Sequence, residues 1–340
     1  MRTESNHTRM SSGALRRREF LGTTATALLG AAFWRCSAGS SPKESFERFQ
    51  GIFPIVQTPY SDDDKLDFET LAKEVAFLDK TGVHGIVWPQ RASQYQHLTF
   101  EERIEGAETI VRAAKGLRPA VVIGVQGSDT ETAVKYARHA EKLQPDAIIA
   151  LPTRDSGEFD LNEVAAYYKA IGKACGLPLF VQTTGNMSVE FVLRMARDIP
   201  TLRFVKDEAG NPIVRLDEFA GRDQAKRLSV FTGSHGRNLP DEMMRGVAGN
   251  MPAASWADLY VKVWDGWRAG RRKEALETFS KLLLFVSQTA AYGFAAMHYV
   301  LHLRGVFPNW RARGDVPPLD DLAMEALRET FEFVKPSFSV

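Results

Sequence analysis

Between Gly51 and Ala269 the chain repeats one alternation: a short apolar, extended run followed by a run whose apolar residues keep helical spacing. Nothing else in the sequence limits the fold as strongly. A strand buried on both faces reads as a brief continuous apolar run, whereas an amphipathic helix puts apolar residues three and four apart. The extended runs are Gly51 to Thr58, His84 to Trp88, Pro119 to Val125, Ala147 to Leu151, Leu177 to Gln182, Leu202 to Lys206, Leu228 to Thr232 and Asn250 to Ala253. Each is followed by a helical run: Asp67 to Lys80, a helix from Thr99, Thr130 to Lys142, Leu161 to Ala174, Val189 to Arg197, Val214 to Ala220, Leu239 to Gly246 and Ala257 to Ala269. Asp67 suits an N-cap, and Thr99-x-x-Glu102 has the capping-box pattern.

Eight such pairs predict an α/β fold, a closed (β/α)8 barrel of the TIM type rather than an open doubly wound sheet. No Gly-x-Gly-x-x-Gly follows the first run and no Gly-Lys-Ser/Thr loop occurs, so dinucleotide and nucleotide binding lack their usual support. Beyond Gly270 the pattern is helical, with helices expected over Lys273 to Gln288, Phe294 to Leu303 and Leu322 to Val334, and a loop over Asn309 to Pro318. The expected organisation is an export signal and short linker (1–40), the barrel (41–269) and a C-terminal helical extension (270–340).

Composition excludes some partners. At 340 residues, 44% hydrophobic and 25% charged, with a formal net charge of +1, the chain gives no reason to expect nucleic acid or an anionic membrane surface. Its two cysteines, Cys36 and Cys175, stand in no zinc or redox spacing. No metal and no cofactor is expected, and Cys175 reads as a small buried filler.

The first forty residues read as an address. Arg17-Arg18-Glu19-Phe20-Leu21 matches the Arg-Arg-x-Phe-Leu core of a twin-arginine export signal, and the apolar run Leu21 to Trp34 is too short for a mature spanning helix. Small residues around Ser37, Ala38 and Gly39 suit cleavage, while Arg35 before Cys36 fits lipid attachment poorly. Periplasmic residence is expected, with membrane contact only during export.

Among the extended runs, Leu202 to Asn211 (LRFVKDEAGN) draws attention because it ends on Lys206 and a polar turn. Chemistry in a barrel of this kind is built at the carboxyl ends of the strands. A lysine turned into such an interior loses water, which lowers its pKa and frees the amine to attack a carbonyl. Alone, a lysine at a strand end is most often a solvated loop residue.

The order of motifs gives it context. Thr58-Pro59 at the end of the first run, Leu98-Thr99-x-x-Glu102-Arg103 at the second helix and Val205-Lys206-Asp207 on the sixth strand resemble the dihydrodipicolinate synthase and N-acetylneuraminate lyase family. The resemblance runs from about Gly51 into the C-terminal helices. It implies a barrel with a helical extension, a homo-oligomer (dimer or tetramer), and a Schiff base between Lys206 and a 2-oxo acid such as pyruvate.

Around that lysine the sequence departs from the family. Where members carry Gly-Thr-Thr-Gly-Glu, this chain has Gln90-Arg91-Ala92-Ser93-Gln94, so both threonine hydroxyls are missing. Arg91 either replaces them as a bidentate carboxylate partner or is an exposed or intersubunit arginine. The family's proton-shuttling tyrosine is matched by Gln182, whose amide can hold a substrate but cannot exchange a proton near neutral pH. Thr153-Arg154-Asp155 stands where members often have an aromatic pair. The expected site is Lys206 as nucleophile, with Arg91, Ala92, Gln182, Arg154 and Asn250 around the substrate. His235 and His97 are conceivable proton carriers, with surface roles the safer default. Asp207 should face away from Lys206, since neighbouring strand residues alternate.

Three readings follow. The first is a lyase, an aldolase or dehydratase, acting through Lys206 on a 2-oxo acid or its aldol, possibly sugar-derived, with a rearranged acid/base set. The second is a binding or assembly protein that keeps the lysine without turnover. The third, an unrelated barrel hydrolase, finds no metal-ligand cluster or nucleophile triad in the sequence.

Overall fold

The structure is a computed structural model that describes residues 47–154, 157–223 and 227–340. The twin-arginine stretch and Cys36 lie outside the described residues, as does Asp155. Eight parallel strands, β1 (Gly51–Ile52), β2 (Gly85–Trp88), β3 (Ala120–Gly124), β4 (Ala147–Ala150), β5 (Leu179–Gln182), β6 (Leu202–Asp207), β7 (Ser229–Thr232) and β8 (Gly249–Asn250), pair in the order β1-β8-β7-β6-β5-β4-β3-β2. The ring closes just past β1, where Ile55 bridges Val87 and the Val56 N–H donates to the Val87 carbonyl at 2.9 Å. The expected (β/α)8 barrel is therefore the fold. β1 and β8 are shorter than their apolar runs because Pro54 and Pro252 have no N–H for a regular ladder. Their neighbours still pair, with the Ile55 N–H on the Pro252 carbonyl at 2.7 Å.

Between the strands run α1 (Phe68–Thr81), α2 (Phe100–Ala113), α3 (Thr130–Leu143), α4 (Leu161–Ala174), α5 (Val189–Asp198), α6 (Pro212–Arg222) and α7 (Leu239–Met244), with α8 (Ala257–Arg268) after β8. Asp67 caps α1 by accepting the Thr70 N–H, and Thr99 and Glu102 form the capping box of α2. The two helices expected between Lys273 and Leu303 are present as two segments of one span, α9 (Arg272–Leu303), separated by a kink at Gly293. Gly293 has φ 61° and ψ −143°, a non-helical conformation that a residue with a Cβ rarely adopts, so the helical backbone breaks there between the two segments. A final helix, α10 (Asp321–Val334), packs on α9.

The core has two parts. Inside the ring, Phe49, Phe53, Phe180, Phe204 and Phe231 fill the barrel, with Phe180 and Phe204 stacked at 4.4 Å between ring centres. Glycines on the strands make room for them: a methyl at Gly85 would overlap the Phe53 ring. A second, larger apolar layer joins the outer faces of the strands to the helices. The extension is fastened by charge as well. Buried Arg304 forms a bidentate pair with Asp258 of α8 at 2.9 Å for both contacts, and Arg313 reaches Glu102 of α2 at 2.7 and 2.8 Å.

Candidate active site

Alternation along β6 sets the site. Phe204 points into the aromatic plug and Val205 outward, so Lys206 rises into the barrel above the phenylalanine floor. Only 2% of Lys206 is exposed, yet it borders a cavity of about 400 Å³ at the carboxyl ends of the strands. A larger hollow of about 720 Å³ lies by the amino ends of β7 and β8, at the rim where barrel chemistry is not built. Burial pushes the Lys206 ammonium below its usual range and the Arg91 charge adds to this, while Glu208 opposes both.

Glu208 is the residue that sequence reasoning missed. Its Oε2 lies 3.2 Å from Lys206 Nζ and also accepts a hydrogen bond from the Gln182 amide. The other oxygen, Oε1, accepts the Ser234 N–H at 3.0 Å. Burial alone would push this carboxyl up; the Lys206 charge, the Ser234 N–H and Arg91 together hold it below its usual value. The available signal was the spacing, because a residue two beyond Lys206 shares its face of an extended strand.

The end of β6 is held from behind. Asp207 faces outward as expected, buried against a bidentate Arg215 of α6 at 2.7 and 2.8 Å and accepting the Thr183 hydroxyl at 2.7 Å. The same Thr183 hydroxyl oxygen accepts the N–H groups of Glu208 and Ala209.

Of the sequence-predicted residues, Lys206, Arg91 and Ala92 meet at the cavity, joined by Glu208, Ser234, His235 and Arg237 and facing apolar Met251, Phe294 and Met297. Gln182 and Asn250 require correction. Neither borders the cavity: the Gln182 amide is committed to Glu208, and the Asn250 amide donates to the Thr232 hydroxyl and the Gly233 carbonyl. Arg154 is also displaced. It is exposed, donates to the Glu158 carbonyl at 3.1 Å and stacks over Phe159, beside a separate cavity of about 460 Å³. Arg154 lines that cavity and not the one that Lys206 borders.

His235 does reach the cavity. Ser234, His235 and Gly236 have φ of 51°, 54° and 57°, a left-handed turn that two residues with side chains rarely adopt in succession. Tyr260 fastens it by donating its hydroxyl to the His235 carbonyl at 2.6 Å. Burial lowers the imidazole pKa, and Glu208 opposes that shift. His97 instead lies against Gly314 of the C-terminal loop, outside the Lys206 cavity. Among the described residues, no three His, Cys, Asp or Glu side chains converge to hold a metal ion. What has converged is a desolvated amine, a hydrogen-bonded carboxylate and a guanidinium over an apolar floor, which suits condensation with a ketone that carries an anionic group.

Comparison with known proteins agrees with this architecture. The model of the dihydrodipicolinate synthetase family matches residues 48–333. The L-2-keto-3-deoxyarabonate dehydratase of Azospirillum brasilense is 24% identical over 282 residues, covering 81% of this chain and 91% of the relative. A probable 2-dehydro-3-deoxy-D-pentonate aldolase of Escherichia coli is 27% identical over 245 residues, covering 70% of this chain and 80% of the relative. The solved sialic acid aldolase of Ruminococcus gnavus superposes with a TM-score of 0.79 at 20% identity, covering 86% of this chain and 99% of that one. With the match to the family model spanning barrel and extension alike, the chain belongs to the dihydrodipicolinate synthetase family of lyases.

Proposed function

We propose that this protein is a Schiff-base lyase, an aldolase or dehydratase, acting through Lys206 on a 2-oxo acid derived from a sugar. One observation carries the reading: Lys206 is a buried amine that borders a cavity at the carboxyl ends of the barrel strands and has a carboxylate 3.2 Å away. A depressed lysine pKa leaves more free amine to attack the ketone, and the protonated imine then draws electrons from the adjacent carbon. Arg91 offers a guanidinium for the substrate's carboxylate. The relatives named above, a dehydratase and a probable aldolase of 3-deoxy sugar acids, support the sugar-acid class.

Reduction with cyanoborohydride in the presence of pyruvate or a panel of 2-keto-3-deoxy sugar acids tests this. A mass adduct on Lys206, absent in Lys206→Ala, is expected. Binding without any adduct would favour the second reading, a protein that binds without turnover. The observation on that side is that Gln182, the register partner of Lys206, is an amide that cannot exchange a proton near neutral pH and donates to Glu208.

Export to the periplasm and homo-oligomer formation belong to the same proposal. Arg17-Arg18-Glu19-Phe20-Leu21 supports the first, and cell fractionation of an Arg17→Lys/Arg18→Lys variant tests it. Exposed Leu276, Leu284, Leu322 and Phe333 on the C-terminal helices support the second, which light scattering of the purified protein reads directly.

A further inference from the structure

Gln182, the register partner of Lys206 on β5, carries an amide that cannot exchange a proton near neutral pH, so the imine reading needs a proton carrier from elsewhere. The chain fills the gap from a different strand end. Glu208 is buried, lies 3.2 Å from Lys206 Nζ, and is fixed by the Gln182 amide on one oxygen and the Ser234 N–H on the other. A carboxylate held at both oxygens keeps one orientation through successive proton transfers. We infer that Glu208 is the general acid and base of this site, with Gln182 as the residue that positions it.

The inference rests on the Lys206 imine and supplies its missing steps. Glu208 takes a proton from the Lys206 ammonium, and the freed amine pair forms the bond to the ketone carbon. The carbonyl π pair moves to oxygen, which receives that proton back from Glu208. The carboxylate then removes a second proton from the substituted nitrogen and passes it to the departing hydroxyl, which leaves as water while the nitrogen pair closes the imine. In all, an ammonium and a ketone become a protonated imine and one water, and Glu208 ends ionised as it began. It can then take a proton from the carbon beside the imine carbon. The C–H pair becomes the enamine double bond, and the imine π pair returns to nitrogen. That carbon is two bonds from the nitrogen, so a carboxylate in hydrogen-bonding contact with Nζ is within reach of its protons.

His235 and Arg237 share the cavity with Lys206 and Glu208. His235 Nδ1 is buried without a hydrogen-bond partner, whereas both oxygens of Glu208 are held by hydrogen bonds.

The test uses the full-length protein with pyruvate in deuterium oxide, following loss of the methyl proton signal by NMR, with cyanoborohydride trapping in parallel. Wild type should form the Lys206 adduct and exchange the methyl protons. Glu208→Gln should be trapped at Lys206 more slowly than wild type, because Glu208 also serves imine formation, and exchange should fall by about 100-fold or more. Should that variant fail to fold by circular dichroism, Glu208→Ala replaces it, with exchange expected to be lost and restored in proportion to added formate. Exchange within about threefold of wild type in either folded variant would overturn the assignment. An adduct in wild type together with such intact exchange sinks this inference alone, whereas no adduct in wild type sinks the imine reading and this inference with it.

Discussion

Gln182 and Lys206 are register partners across β5 and β6, so the amide stands beside the amine and donates to the carboxylate that the amine also contacts. Two adjacent strands thus hold one three-residue hydrogen-bonded set. Backbone pairing sets Gln182 beside Lys206, and the side-chain contacts of both with Glu208 give each member a separable role.

Gln182→Ala should reduce turnover or pyruvate proton exchange by about tenfold, the cost of one hydrogen bond to a charged group. Trapping at Lys206 should persist, because the amine itself is untouched. Parallel exchange and mass measurements decide it; loss of both together would show that Gln182 holds the fold of the site and not only Glu208.

Arg215→Ala should lower stability by about 3 kcal/mol, since it leaves the buried Asp207 carboxylate without its bidentate partner. The double variant Asp207→Asn/Arg215→Ala should recover part of the loss. Urea unfolding of the three proteins measures both, and equal loss in the single and double variants would contradict the pairing argument.

Burial pushes Glu242 up to about 7 from an ordinary value of 4.5, against hydrogen bonds from Thr232 and Asn250. The folded protein therefore holds this proton more tightly than the unfolded chain. The associated stability is complete below the unfolded pKa and is lost as the pH rises from there through the folded pKa. Glu242→Gln should flatten this decline between pH 4.5 and 7. Unfolding free energies across that range provide the check; parallel curves for wild type and variant would refute it.

Gly249→Ala should destabilise the barrel by about 1–3 kcal/mol or more. A methyl there would overlap both the Gly51 carbonyl oxygen and the Phe231 ring, where β8 meets β1. A thermal melt with an unchanged midpoint would show that the seam can relax.

The alternation of apolar runs and amphipathic helices made the barrel legible, because each unit buries its own face locally. The ends of the first and last strands were not legible. Pro54 and Pro252 interrupt the ladder without interrupting the apolar run, and composition does not record that difference. At the site, Lys206 and the turn of Arg91 and Ala92 could be read from motif order. Gln182 could be read as an altered position, but not as the partner of Glu208. Arg154 was misread because a loop's direction depends on what it packs against, here Phe159.

The linear sequence by itself determined the periodicities, and with them the eight units, the helical extension and the strand on which Lys206 stands. These are properties of neighbours a few residues apart. Only the folded ring decided which polar groups share a dry cavity: Glu208 pointing back at Lys206, Ser234 supplying an N–H from the next strand end, Asn250 and Arg154 turned elsewhere. The physical reason is that an amine's chemistry depends on the water removed around it and the charges brought beside it, and both come from residues distant in the chain.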